Sequence, residues 1–160
     1  MNRDSPQPGP ATIVVERVAE SDADALAALF EELSGDPVNR TLMRAELAAV
    51  LNDPAYVLLG VRAGGILTGT AMGIVCRDLV GECRPFMVVE NVIVSAAHHG
   101  GGAGRALMNE LEREAGRRGC LYINIVSSMH RTGAHRFYES LGYPADAARG
   151  FRKFLRGDPS

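Results

Sequence analysis

Apolar positions along this chain follow a period of two in some stretches and of about 3.6 in others, and the alternation between the two predicts a mixed α/β fold. The β-branched run over 12–18 reads as a strand. Ser21 and Asp22 then open a helix on which Leu26, Leu29, Phe30 and Leu33 share one face, and Gly35-Asp36-Pro37 end it. A second amphipathic helix over 39–51 presents Leu42, Met43, Leu47 and Val50 at helical spacing and stops at Asn52-Asp53-Pro54. Residues 56–62 and 66–77 are predicted strands, joined as a hairpin across Ala63-Gly64-Gly65. A polar loop over 78–85 leads to the apolar run 87–94, the predicted central strand. A helix over 105–118 turns Leu107, Met108 and Leu111 inward and ends at Gly119. A short buried strand over 121–126, a helix over 132–141 ended by Gly142, and a last strand over 150–155 complete the pattern.

Composition narrows the class. A chain of 160 residues is one domain's worth, here placed over 12–160, with the proline-rich residues 1–11 expected to be a disordered tail. A hydrophobic fraction of 46%, a charged fraction of 22% and a net charge of −2 suit a globular protein and give no reason to expect a nucleic-acid partner. Cys76, Cys83 and Cys120 are odd in number and lack CxxC spacing, so neither a disulfide framework nor a zinc site is expected. Reduced thiols in a cytoplasmic protein are the expectation. No apolar run reaches the roughly 18 residues of a membrane span, and the polar start is unlike a signal peptide.

The run from Glu90 to Leu107 carries the most chemistry. Glu90-Asn91-Val92-Ile93-Val94 ends a strand, Gly100-Gly101-Gly102-Ala103-Gly104 makes a glycine turn, and Arg105-Ala106-Leu107 starts a helix. The first N–H groups of a helix have no internal partner and sit at the positive end of its dipole, so strand, glycine turn and helix together suit an anion such as a phosphate. No Lys-Ser or Lys-Thr follows the glycines, which argues against a nucleoside-triphosphate loop. A dinucleotide loop would need a glycine where Arg105 stands.

The segment His99-Gly100-Gly101-Gly102-Ala103-Gly104 resembles the coenzyme A loop of the GNAT N-acetyltransferases, Gln/Arg-x-x-Gly-x-Gly/Ala, with His99 in the place of glutamine or arginine. The resemblance spans about residues 12–155. It implies a mixed, mostly antiparallel central sheet flanked by helices, with acetyl-CoA as co-substrate and no metal. Downstream, Ala134, Tyr138, Gly142 and Tyr143 match the family's Ala-x-x-x-Tyr-x-x-x-Gly-Phe pattern, with Tyr143 in the phenylalanine position. That match implies Tyr138 as proton donor to the leaving thiolate, which suits a phenol of pKa about 10 facing a thiol of pKa about 8.5. Read without the family, Phe137 and Tyr138 are equally core aromatics of an amphipathic helix. Many relatives have an asparagine seven residues before the tyrosine; here Arg131 stands there, to reach phosphate, an anionic substrate, or solvent.

The incoming ammonium needs a base. Glu90 lies in an apolar run, where alternation puts it on the same face as Val92 and Val94; a carboxylate is expensive to bury there, so it is expected to face a cleft. A plain edge glutamate is the competing reading. The resemblance further implies that the backbone of Val92, Ile93 and Val94 holds the pantetheine arm, and that His99 and residues 100–105 hold the pyrophosphate. Arg131, Ala134 and Phe137 complete the coenzyme-contacting set. The expected acceptor is the primary amine of a small molecule, attacked directly in a ternary complex. The segment from Arg131 to Tyr138 and Gly150-Phe151-Arg152-Lys153-Phe154-Leu155 are similar to the aminoalkylphosphonate N-acetyltransferases. A protein lysine or N-terminus as acceptor, or a coenzyme-binding module without turnover, are the alternatives, and a homodimer is a candidate assembly.

Overall fold

The computed structural model describes residues 12–155, so the expected tail over 1–11 lies outside the described residues. Five strands, β1 (Ile13–Arg17), β2 (Tyr56–Ala63), β3 (Ile66–Cys76), β4 (Phe86–Val94) and β5 (Ile123–Ile125), form one sheet in that order. Neighbours run antiparallel except β4 and β5, which are parallel. The chain divides into two compact units, one ending at Ile125 and the other beginning at Val126, and the whole sheet belongs to the first.

Alternation along β3 assigns the helices α1 (Ala23–Ser34), α2 (Arg40–Asn52) and α3 (Ala103–Arg117) to the two faces of this sheet. Met72 packs, with Phe30, Met43 and Ile93, against a buried cluster that includes Leu26 and Leu29 of α1, Leu47 of α2, and Leu58. The next residue, Gly73, points the other way. A Cβ there would lie 2.8 Å from the Met87 sulfur and 3.1 Å from Leu111, so α3 lies close against that face. Leu107, Met108 and Leu111 are fully buried on it, as their spacing predicts. At roughly 25 cal/mol per Å² of apolar surface removed from water, such side chains stabilise the fold by about 2 kcal/mol each.

Four expectations change. Leu42 is 64% exposed rather than inward: at ~100° per residue it stands ~140° round α2 from the buried Leu47, and its N–H is capped by the Asn39 side chain at 3.1 Å. The helix α3 begins two residues earlier than predicted, taking Ala103 and Gly104 into its first turn. The predicted strand over 121–126 shrinks to three residues, with Leu121 60% exposed. Residues 150–155 form no strand, and Phe151 is 91% exposed, because an apolar pattern becomes a strand only when a ladder partner pairs with it.

A 3-10 turn over Glu20–Asp22 precedes α1, and its buried Asp22 ties α1 to the sheet. Asp22 accepts the Ala19 N–H at 2.9 Å and Arg62 Nη2 at 2.8 Å on both oxygens, while Arg62 also donates to Glu16. Burial pushes the Asp22 carboxyl up, but the Arg62 guanidinium and the Ala19 amide outweigh it and hold the carboxyl below its ordinary range. A depressed carboxyl stabilises above its unfolded value of about 3.9, and that stabilisation is lost as pH falls through the folded value. Asp22→Ala is therefore expected to lower stability by about 2 kcal/mol at pH 7 and by distinctly less near pH 3, read from urea unfolding at both. A loss of equal size at both would show that charge plays no part.

Candidate active site

The geometry starts from a fault in the ladder. Met72 pairs with Glu90 and Thr70 with Ile93, so three steps along β4 match two along β3. The extra residue is taken up at Asn91, whose φ of +54° lies in the left-handed region. Asparagine tolerates that conformation because its short polar side chain makes local hydrogen bonds. An inserted residue reverses the two-residue alternation beyond it. Glu90 consequently shares the α1–α2 face with Met72 and Ile93, while Val94, paired with Gly69, and with it Val92 turn to the α3 face. The expectation that Glu90, Val92 and Val94 share a face is corrected accordingly. Gly69 is needed there: a Cβ would lie 2.7 Å from the Ile93 carbonyl oxygen and 3.0 Å from Val61 and Val94. Asn91→Gly should keep stability within about 0.5 kcal/mol and Asn91→Val should cost about 1–2 kcal/mol, by denaturant titration. Parental stability in the valine variant would mean that Asn91 is not left-handed.

The other edge of β4 is half covered. Only Met87, Val88 and Val89 pair with β5. Among the described residues no strand pairs with residues 90–94 on that side. A strand edge of this kind can take an extended molecule as an added strand.

The turn after β4 is tethered at three points. The Ser95 N–H donates to the Thr68 carbonyl at 2.8 Å, the Ala96 N–H to the Glu32 carboxylate at 2.7 Å, and His99 Nε2 bonds the Val94 carbonyl at 2.8 Å. A 3-10 turn over Ala96–His98 leads to Gly100 and Gly102, whose φ angles are +80° and +82°. Gly102 is the N-cap of α3 and supplies no side-chain cap. A Cβ on Gly100 or Gly102 would meet nothing within 4 Å, so open space lies above the turn. Left-handed glycines and the start of a 15-residue helix thus converge on space that an anionic group fits. Arg105 stands exposed on that first turn.

In the second unit, α4 (Thr132–Ser140) carries the other expected residues. Ala134, Phe137 and Tyr138 are half-buried and Arg131, which precedes the helix, is exposed. Gly142, at φ +93°, turns the chain back so that the Tyr143 N–H donates to the Tyr138 carbonyl at 3.1 Å. The Tyr143 ring then meets Tyr138 edge-on at 6.3 Å, with Phe137 on Tyr138 at 5.3 Å. The spacing of Tyr138, Gly142 and Tyr143 is therefore also the spacing of an aromatic cluster. Glu90, Val92, Ile93, Val94, His99 and residues 100–105 come together at the β4–α3 junction of the first unit. Arg131, Ala134, Phe137 and Tyr138 come together on the second.

Sequence reasoning missed Asn91, Thr68 and Glu32. Asn91 had a signal, a strand-disfavoured residue inside a β-branched run. Glu32 had none, because its partner lies 64 residues away. Among the described residues no three His, Cys, Asp or Glu side chains converge as metal ligands, and no helix is long and apolar enough to cross a membrane.

The acetyltransferase (GNAT) family model matches residues 23–143. No curated protein matches the chain by sequence. Among solved structures, the chain is similar to an aminoglycoside N-acetyltransferase in complex with coenzyme A, at 16% identity and a TM-score of 0.79, covering 94% of this chain and 99% of that one. It is similar to glucosamine-6-phosphate N-acetyltransferase from Arabidopsis thaliana at 16% identity and 0.78, covering 91% and 99%. It is also similar to the ribosomal-protein-alanine N-acetyltransferase of Brucella melitensis at 20% identity and 0.74, covering 89% and 99%.

Proposed function

The chain belongs to the GNAT family of acetyltransferases, and from that premise we propose that it transfers the acetyl group of acetyl-CoA to the primary amine of a small molecule, by direct attack in a ternary complex. The observation that carries this reading is the β4–α3 junction: a bulged strand whose edge over 90–94 has no strand partner among the described residues, running into a glycine turn with open space above it. That cradle fits a long, extended ligand with an anionic group, as coenzyme A is. Acetyl-CoA would supply the activated acetyl group as a thioester.

The chain's own residues divide the remaining work. The backbone of Val92, Ile93 and Val94 binds the extended arm, and N–H groups over Gly100, Gly101, Gly102, Ala103, Gly104 and Arg105 hold the pyrophosphate, with His99 fixing the start of the turn. Glu90 takes the ammonium proton, through water, from the α1–α2 face of the sheet. Tyr138 donates a proton to the departing thiolate, and Arg131, Ala134 and Phe137 contact the coenzyme. Nothing here uses a metal. Aminoglycoside and glucosamine-6-phosphate acetyltransferases, among the structures of similar fold, are named for small amine-bearing acceptors and fit this reading. Aminophosphonates and other anionic amines head the candidates, because Arg131, His135, Arg149 and Arg152 carry positive or ionisable groups near one another in sequence. The reading includes a cytoplasmic location, no nucleic-acid or membrane partner, and a homodimer.

The test is thiol release from acetyl-CoA against a panel of aminophosphonates, amino sugars, amino acids, polyamines and peptides. Turnover on a small amine supports the proposal. Turnover on peptides alone moves the acceptor to protein, and coenzyme binding without turnover on any amine makes the chain a binding module.

A further inference from the structure

The last turn of α1 carries two adjacent carboxylates with different partners. Glu31 accepts the Val38 N–H at 3.3 Å and pairs with Arg40 at 3.1 Å, which ties α1 to the α1–α2 connection. Glu32, ~100° further round the helix, reaches the other way and accepts the Ala96 N–H at 2.7 Å. Ala96 opens the turn that leaves β4 for the glycines.

We propose that Glu32 is a positioning residue for the coenzyme loop; the inference rests on the coenzyme reading of that loop given above. Of the bonds that place the turn, those from Ser95 to Thr68, from His98 to Ser95, and from His99 to Ala96 and Val94 arise within the sheet and the turn themselves. Among the described residues, the Glu32 bond is the one that comes from a helix. It fixes Ala96, and through the 3-10 turn it fixes the direction in which Gly100, Gly102 and the first N–H groups of α3 face. A hydrogen bond to an ionised carboxylate is about twice as strong as a neutral one, so its loss loosens the turn while the remaining bonds and the buried face of α3 keep the fold. A looser turn must be ordered when the coenzyme binds, and that ordering lowers affinity. Glu32 is placed to act on the turn and not on the reacting groups, so the effect falls on KM for acetyl-CoA and spares kcat.

The experiment compares the parent with Glu32→Ala and Glu32→Gln by calorimetric titration with coenzyme A and by melting of the ligand-free proteins. Glu32→Ala should weaken binding about three- to tenfold, with Tm within about 2 °C of the parent. Glu32→Gln keeps a carbonyl acceptor without the charge and should lose less. Parental affinity in Glu32→Ala overturns the inference. So does a lowered ligand-free Tm in either variant with unchanged affinity, which would make Glu32 a stabiliser of α1 only. If the parent itself binds no coenzyme A, the coenzyme reading fails first and this inference fails with it; a parent that binds, with variants that bind equally well, overturns the inference alone.

Discussion

Tyr138→Phe should lower kcat on the best amine about 10²–10⁴-fold while leaving coenzyme affinity and melting temperature near parental values. The substitution keeps the ring, and with it the contacts to Phe137 at 5.3 Å and to Tyr143 at 6.3 Å, and removes only the hydroxyl. On the proposed mechanism the phenol protonates the leaving thiolate, and in the variant that proton has to come from water. The deficit should shrink at high pH, because a thiol of pKa about 8.5 leaves readily as thiolate once no proton is required. The measurement is kcat against pH for the parent and the variant, with coenzyme titrations alongside. Parental kcat would remove Tyr138 from the chemistry. A lowered melting temperature or lost coenzyme binding would make its hydroxyl structural instead.

Acetyl-CoA should stabilise the parent, and Gly102→Val should abolish that stabilisation. A ligand that binds only the native state at 100 times its Kd stabilises by about 2.7 kcal/mol, which for a chain of this size is a rise in Tm of about 5–10 °C. Gly102 has φ +82°, where a β-branched side chain is strained, so the variant also melts lower without ligand. The diagnostic quantity is the difference between melts with and without acetyl-CoA. In the ligand-free chain a Cβ at Gly102 meets nothing within 4 Å, so new atoms there obstruct only what enters that space. Gly102→Ala should retain a reduced shift. A valine variant that responds to acetyl-CoA as the parent does would mean that the glycine turn is not the anion site.

The parts of this fold that the sequence disclosed are those set by local periodicity. Leu107, Met108 and Leu111 repeat at helical spacing and are fully buried, and the hairpin of β2 and β3 turns where Gly64 and Gly65 stand. The parts it hid are set by partners distant in the chain. Alternation along β4 is a sound guide until one residue is inserted, and a single left-handed Asn91 moves Glu90 from the face of Val94 to the face of Met72. Residues 150–155 have the composition of a strand and no strand structure, since pairing is a property of two segments. Leu42 sits one position away from the inward Met43, and that single step around α2 takes it to solvent. In the candidate site, the glycines and Tyr138 were visible as motifs. Glu32 was not, because a glutamate near a helix end is an ordinary surface residue until its partner is known.

The bond between His99 and Val94 settles a question of tautomer. A carbonyl oxygen only accepts, which assigns the ring proton to Nε2 and leaves the lone pair on Nδ1. Glutamine and arginine, the residues of the family pattern, are N–H donors too. The histidine in this chain keeps the donor while exchanging a long flexible side chain for a short rigid ring.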